Sequence, residues 1–560
     1  MLKTKSNFIV GAIILVISNL ITKAIGAIYR VPLLRTLGSE GLGQYQMILP
    51  IFALFLVISS SGIVVTLSKF VSKETEHKNS INAKKYLLSG IVISILASVF
   101  LSALLIVFAP NIAKYQKSSG LYISYIAIVP AIILGSLLSV FRGYFLGKRK
   151  MIFSGLAQVI EAISKLVFSL VLSTRFSVYG YTMAVFGALL GISISELVSF
   201  VFILIVYFLQ KKKENNFILP KIFKTDEKNY SRFKRVEKLV DINVNISNVY
   251  HSKNRYITFF QALKNVFSFS FFVMLQSSIM PLINAIDSLI IVPLLLRAGI
   301  IQSVAYSLYG LENGVVSSIL ALPTVVASAV GASIIPNIKK DKSNINSTSK
   351  NIKNAFNIVW LSSIFCAFAF VIFSNDIINF LYGSGLAEKA INELSISADL
   401  LRINSFNLVY LCLLSISTSV LQGLERNKVP VINLATAGIL RLFLMIVLLS
   451  KGRINIYGTA IADMAFYSFA LILNLREIKK AINLKFGLAN FAVLPVVCCV
   501  AVSLSMVLIK MLLKSLLTPR VLTLAVILCG CGVYLSLLIA TKVIDLKNLS
   551  KTILKKRQIT

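Results

Sequence analysis

Leu87–Ala109 reads LLSGIVISILASVFLSALLIVFA, a run without a single charged side chain. At ~1.5 Å of rise per residue, a helix of this length crosses the ~30 Å hydrocarbon core of a bilayer. The run lacks the alternation of a membrane barrel strand, so it is read as a transmembrane helix. Comparable runs lie at about 7–27, 45–68, 121–141, 152–174, 182–208, 267–296, 313–335, 355–374, 397–420, 430–450, 457–475, 489–513 and 521–541, which makes fourteen spans with 87–109. Composition agrees: the chain is 57% hydrophobic and 14% charged, with a mean hydropathy of +0.84, whereas soluble proteins are about 25% charged. The expected fold class is an all-α polytopic membrane protein.

Two of the runs carry special features. The first follows Lys3 and Lys5, as a secretory signal would, but it is too long and has no small-residue cleavage site, so it is expected to remain as a helix. The second contains Pro50 and a Ser59-Ser60-Ser61-Gly62 patch, which predicts a bend or local unwinding where protein or water satisfies the freed backbone.

The net charge of +36 would suggest nucleic acid in a soluble protein, but here its distribution follows the membrane. With the N-terminus inside, the even connections carry Lys69, Lys73, Lys78, Lys84 and Lys85; Arg142, Lys148, Arg149 and Lys150; and Lys339, Lys340, Lys342, Lys350 and Lys353. The odd connections are sparser. The positive-inside rule therefore predicts a plasma-membrane protein with both termini cytoplasmic and no nucleic-acid partner. One long hydrophilic segment, 209–265, interleaves Lys and Arg with Phe and Tyr. It reads either as a solvated basic linker or as a surface that meets anionic membrane lipids. All six cysteines lie within apolar runs and read as small hydrophobes, and no metal site is expected from them or from His77 and His251.

That segment divides the chain into related halves. Gly147 precedes Lys165 by the same eighteen residues by which Gly423 precedes Arg441. The offset of 276 pairs spans four and five with ten and eleven. Six helices per unit is an even number, so the units are parallel. The expected organisation is an N-lobe (1–208), a basic cytoplasmic loop (209–265), a C-lobe (266–480) and two further helices with a tail (481–560), the lobes flanking a central cavity.

Charges inside the spans cost ~2.5–3.5 kcal/mol each on insertion scales, so each should face water, a partner or a substrate. Lys23 and Asp287 lie on equivalent helices, with Asn284 one turn before Asp287. Each is either a cavity or ion-coupling residue or part of a structural polar seam. Glu161 and Lys165, four apart with the acid first, are spaced for an intrahelical pair. Arg441 matches Lys165, but Ala437 stands where Glu161 would be, so Arg441 lacks that partner and is the better cavity candidate, snorkelling being the alternative. Arg30, at the exit of the first span, is either an interfacial anchor or an outer gate.

Lys23-Ala24-Ile25-Gly26-Ala27-Ile28-Tyr29-Arg30-Val31-Pro32-Leu33, with Gly41-Leu42-Gly43-Gln44-Tyr45-Gln46, resembles the N-terminal signature of the stage V sporulation protein B-like polysaccharide transporters. Phe141-Arg142-Gly143-Tyr144-Phe145-Leu146-Gly147, with Glu161 and Lys165 downstream, resembles a second motif of that group; Leu322-Pro323-Thr324 and Gln422-Gly423-Leu424 fit its second half. The likeness covers spans one to twelve and places the chain near MurJ-like lipid II flippases in the multidrug, oligosaccharidyl-lipid and polysaccharide (MOP) exporter superfamily. It implies two lobes around a cationic cavity that receives a lipid-linked saccharide, with Arg142 among the cavity residues. It also implies a Na+ site at Asp287 and Asn433, with Ala437 in place of a further carboxylate.

The expected function is a monomeric flippase or exporter that moves a lipid-linked oligosaccharide outward, for cell-wall, spore-cortex or polysaccharide synthesis. Na+ or the membrane potential would drive it, without an organic cofactor. The alternative is a cation-coupled multidrug exporter, which should favour acidic residues over the Lys and Arg found here. No nucleophile–base constellation or Walker loop points to an enzyme.

Overall fold

The computed structural model describes residues 2–77, 79–222, 257–335, 338, 345–383, 388–451, 454–482 and 493–541. Among them there is no strand. Backbone N–H and C=O groups in lipid must be satisfied within the segment, and these apolar runs do so as helices. In chain order the helices are α1 (Leu2–Glu76), α2 (Ser80–Tyr115), α3 (Tyr122–Ala127), α4 (Val129–Gly147), α5 (Met151–Phe176), α6 (Tyr181–Ile222) and α7 (Phe259–Arg297). They continue as α8 (Gln302–Gly310), a π-helical turn (Leu311–Val316), α9 (Ser317–Ile334), α10 (Ile345–Tyr382) and α11 (Glu388–Gly423). The last four are α12 (Lys428–Leu449), α13 (Tyr457–Ala481), α14 (Leu494–Leu513) and α15 (Pro519–Ala540).

Thirteen described stretches are long and apolar enough to span a membrane, and the first, Ile13–Glu76, has 64 residues. At ~1.5 Å per residue that is about three times the ~30 Å core, enough for two crossings and the connection between them. The total is consistent with fourteen. The chain is a multi-pass membrane protein.

The turn between the first two crossings falls at Gly38, whose φ of 68° and ψ of 176° lie in a region open essentially only to glycine. The local unwinding expected at Pro50 or Ser59–Gly62 is absent: both stay inside a continuous helix. Ser59 and Ser60 donate back to the Leu56 carbonyl, so two of the three serines are satisfied within the helix, while the Ser61 hydroxyl is buried without a partner. Gly62 is used for packing instead, since a Cβ there would collide with the Ser270 carbonyl of α7. The 209–265 segment is shorter as a loop than its polarity suggests, because α6 runs to Ile222 and α7 starts at Phe259 behind a Thr258–Gln261 capping box. Residues 223–256 and 542–560 lie outside the described residues.

The helices pack in two sets. Helices α1, α2, α4, α5 and α6 contact one another, as do α9 to α13, with α7 against α12. Helices α14 and α15 pair and lean on α10. Between the sets, the second arm of α1, after Gly38, runs along α7 and crosses α8. That crossing is close: a Cβ on Gly43 would overlap the Tyr306 carbonyl.

Candidate functional site

A cavity of about 290 Å³ lies along this seam, lined by Lys23, Tyr29, Arg30 and Tyr45 of α1, Glu161 and Lys165 of α5, and Ser318 of α9, among others. Lys23 also lines a second cavity of about 120 Å³ farther toward the start of α1, between Asn19 and Ser328. Three of the four charged side chains around the first cavity are cations.

The carboxylate is spoken for from outside. Arg142 of α4 donates to Glu161 at 2.5 Å, and it is this arginine, not Lys165, that pairs with Glu161. Lys165 instead sits 5.9 Å from the centre of the Tyr29 ring, a cation–π arrangement. Arg142 thus supports the cavity without being among its lining residues. Glu196 of α6 is buried nearby, with Glu161, Arg142 and Lys165 as its charged neighbours. Gly135 leaves room for it, since a Cβ there would come 3.1 Å from its carboxylate.

Arg30 reaches across to the second set, donating to the carbonyls of Asn313 (3.1 Å) and Gly314 (2.8 Å). Both belong to the π-helical turn, whose widened backbone offers these acceptors. Further bonds tie the same end of the molecule shut. Ser39 donates to Glu393 at 2.7 Å and shares a hydroxyl–hydroxyl bond of 2.9 Å with Ser307, and Gln302 and Tyr306 both donate to the Lys117 carbonyl, at 2.6 and 2.7 Å.

The second set treats its charges differently. Arg441 does not line the cavity and does have partners: its guanidinium is ion-paired to Asp287 of α7 and Asp463 of α13. The side chains of Arg441, Asp287 and Asp463 are 10%, 8% and 17% exposed. This overturns the sequence-based preference for Arg441 as a cavity cation; the missing helical acid at Ala437 is replaced by acids from two other helices. Asn284 is exposed and joins neither the ion pairs nor the cavity. Asn433 donates to Asn474 at 2.9 Å, two helical turns from Arg441. The residues expected to hold Na+ therefore do not fit one: Asp287 faces a guanidinium, Asn433 faces an amide, and no group of three or more acidic, His or Cys side chains among the described residues could hold a metal.

Sequence reading missed Asp463, Glu196 and Glu312. Asp463 and Glu196 are acids in apolar runs, the same signal that marked Asp287, and Glu312 stands one residue before the run at 313–335. Glu312 sits on the π-helical turn, 6% exposed, accepting from Asn404 at 3.0 Å.

Known proteins share this architecture. Residues 8–229 match the family described as polysaccharide biosynthesis protein. The chain is 22% identical over 501 residues to Stage V sporulation protein B of Bacillus subtilis (strain 168), covering 87% of this chain and 86% of that one. It is 23% identical over 491 residues to the lipid II flippase MurJ of the same organism, covering 83% and 82%. Among solved structures, it aligns with lipid II flippase MurJ in an inward closed conformation at a TM-score of 0.63 and 16% identity, covering 94% of this chain and 98% of that one. An inward-facing multidrug resistance MATE family transporter of the MOP superfamily aligns at a TM-score of 0.58 and 15% identity, covering 82% and 95%. The chain shares the fold of these two transporters.

Proposed function

We propose that this protein is a flippase that carries a lipid-linked oligosaccharide, lipid II or a related undecaprenyl-pyrophosphate glycan, from the inner to the outer leaflet by alternating access, in cell-wall, spore-cortex or polysaccharide synthesis. The observation that carries the reading is the cavity between the two helix sets: Lys23, Arg30 and Lys165 line it, and its one carboxylate, Glu161, is engaged by Arg142. Such a site suits a diphosphate. The polyprenyl tail can stay in hydrocarbon, so the protein need shield only the headgroup. The two helix sets act as the two lobes, and the termini are taken as cytoplasmic on the positive-inside pattern.

About 290 Å³ is at the lower limit of small-molecule pockets. It accommodates the charged link rather than the sugars, so loading requires the lobes to part along the α1–α9 seam. With the N-terminus inside, the end bolted by Arg30 and Ser39 is the outer one, and Arg30 serves both as a cavity cation and as part of that bolt. An inside-negative potential favours outward movement of an anion by ~2.3 kcal/mol per charge per 100 mV.

A multidrug exporter for cationic drugs would need free acids in the cavity, and Glu161 is neutralised. The deciding experiment is genetic: the chain is expressed in a host whose lipid II flippases are depleted. Sustained growth identifies lipid II as cargo. Failure despite membrane insertion moves the cargo to another lipid-linked glycan, and proteoliposome flipping of such a glycan that survives loss of Lys23 and Lys165 charge together would sink the proposal.

A further inference from the structure

We propose that Arg441 is a built-in counter-ion that makes the acidic pocket of the second helix set independent of any mobile cation, and that deleting its guanidinium converts Asp287 and Asp463 into a binding site for a small alkali-metal ion. The inference does not depend on what the protein carries.

Carboxylates from α7 and α13 converge on one guanidinium from α12. An apolar cluster lies on one side: Ile283, Leu414, Ala437, Phe466 and Ala470 pack together, and the guanidinium lies 5.9 Å from the centre of the Phe466 ring. Two carboxylates that stay ionised in such a place require a compensating cation, because an uncompensated buried charge is strongly unfavourable. Arg441 supplies it covalently.

The pocket also holds more acceptor atoms than one guanidinium uses. Asp287 Oδ1 is buried without a hydrogen-bond partner, and so is Oε2 of Glu312, whose charged neighbours include Asp463 and Arg441. Surplus carboxylate oxygens are what hard cations take as ligands. One turn before Arg441 stands Ala437, fully buried and without a polar group to fill a vacated space. Removing the guanidinium leaves the convergent acids and the unpartnered oxygen in place, with a void between them. Asn433, engaged by Asn474, is not part of this set.

The test uses the purified full chain at constant ionic strength, with sodium exchanged for choline, and reads radioactive-sodium binding and thermal unfolding. The wild type is expected to bind no sodium saturably and to melt at the same temperature in both salts. Arg441→Ala should bind sodium saturably, melt higher in sodium or lithium than in choline, and lose both effects when Asp287→Asn is added. Arg441→Lys, which keeps a tethered cation, should remain indifferent to sodium. If Arg441→Ala does not fold, Arg441→Asn, whose amide oxygen can join the ligands, takes its place with the same expectation. Saturable sodium binding by the wild type that Asp287→Asn abolishes would overturn the proposal, as would a folded Arg441→Ala or Arg441→Asn that ignores sodium.

Discussion

Lys165 and Arg441 occupy the same register in two related stretches, each eighteen residues after a glycine, yet they meet opposite fates. Lys165 lines the cavity beside the Tyr29 ring while its helical neighbour Glu161 is drawn to Arg142. Arg441 is sealed between Asp287 and Asp463, over an apolar floor. The repeat position only guarantees a cation at that depth of the helix. Whether the cation is available to an anionic ligand depends on acids supplied by other helices. In the first set an arginine takes the acid away from the lysine, and in the second set two acids take the arginine away from the cavity.

The largest effect should come from breaking the second arrangement. Arg441→Leu strands two buried carboxylates and is expected to cost roughly 3–5 kcal/mol of stability. Adding Asp287→Asn and Asp463→Asn should recover most of it, as read by thermal or denaturant unfolding in detergent. If Arg441→Leu melts like the wild type, the two ion pairs of Arg441 do not stabilise the fold.

The matching change in the first set should separate function from fold. Lys165→Gln forfeits a partly exposed cation–π contact, about 0.5–1 kcal/mol, so unfolding should hardly move. Flipping of a lipid diphosphate in proteoliposomes should fall about tenfold, the equivalent of losing one charge-assisted contact of roughly 1.5 kcal/mol. Equal losses of stability and transport would erase the contrast with Arg441.

A smaller effect is expected from Arg142→Gln, which frees Glu161 to compete for Lys165 four residues on. Transport should drop less than with Lys165→Gln, and Glu161→Gln in the same background should restore it. Failure of that rescue would mean that Arg142 acts on the cavity by some route other than neutralising Glu161.

Much of the fold was legible because lipid imposes a simple code: an apolar run of sufficient length is a helix. The two places where reading went astray are instructive. Pro50 and the serines before Gly62 looked like a break, yet a long helix absorbs them, with Ser59 and Ser60 donating to Leu56. The real break at Gly38 lay in a stretch read as a connection, and only its left-handed backbone geometry distinguishes it from the glycines around it. The site was half legible. Lys23, Glu161 and Lys165 were found by the cost of charge in lipid and Arg30 by its place at the exit of the first span, and the four line one cavity. Asp463 and Glu196 carried the same signal and were passed over, and with Asp463 went the explanation of Arg441.

The sequence by itself determined that this is a many-spanning helical membrane protein, where its buried charges lie along each helix, and which of those positions recur between the halves. Only the tertiary structure decided the pairings, because ion pairs across helices depend on which faces meet. Nothing in the spacing of one helix reveals that α7 and α13 both turn an acid toward Arg441, or that the π-helical turn offers two carbonyls to Arg30.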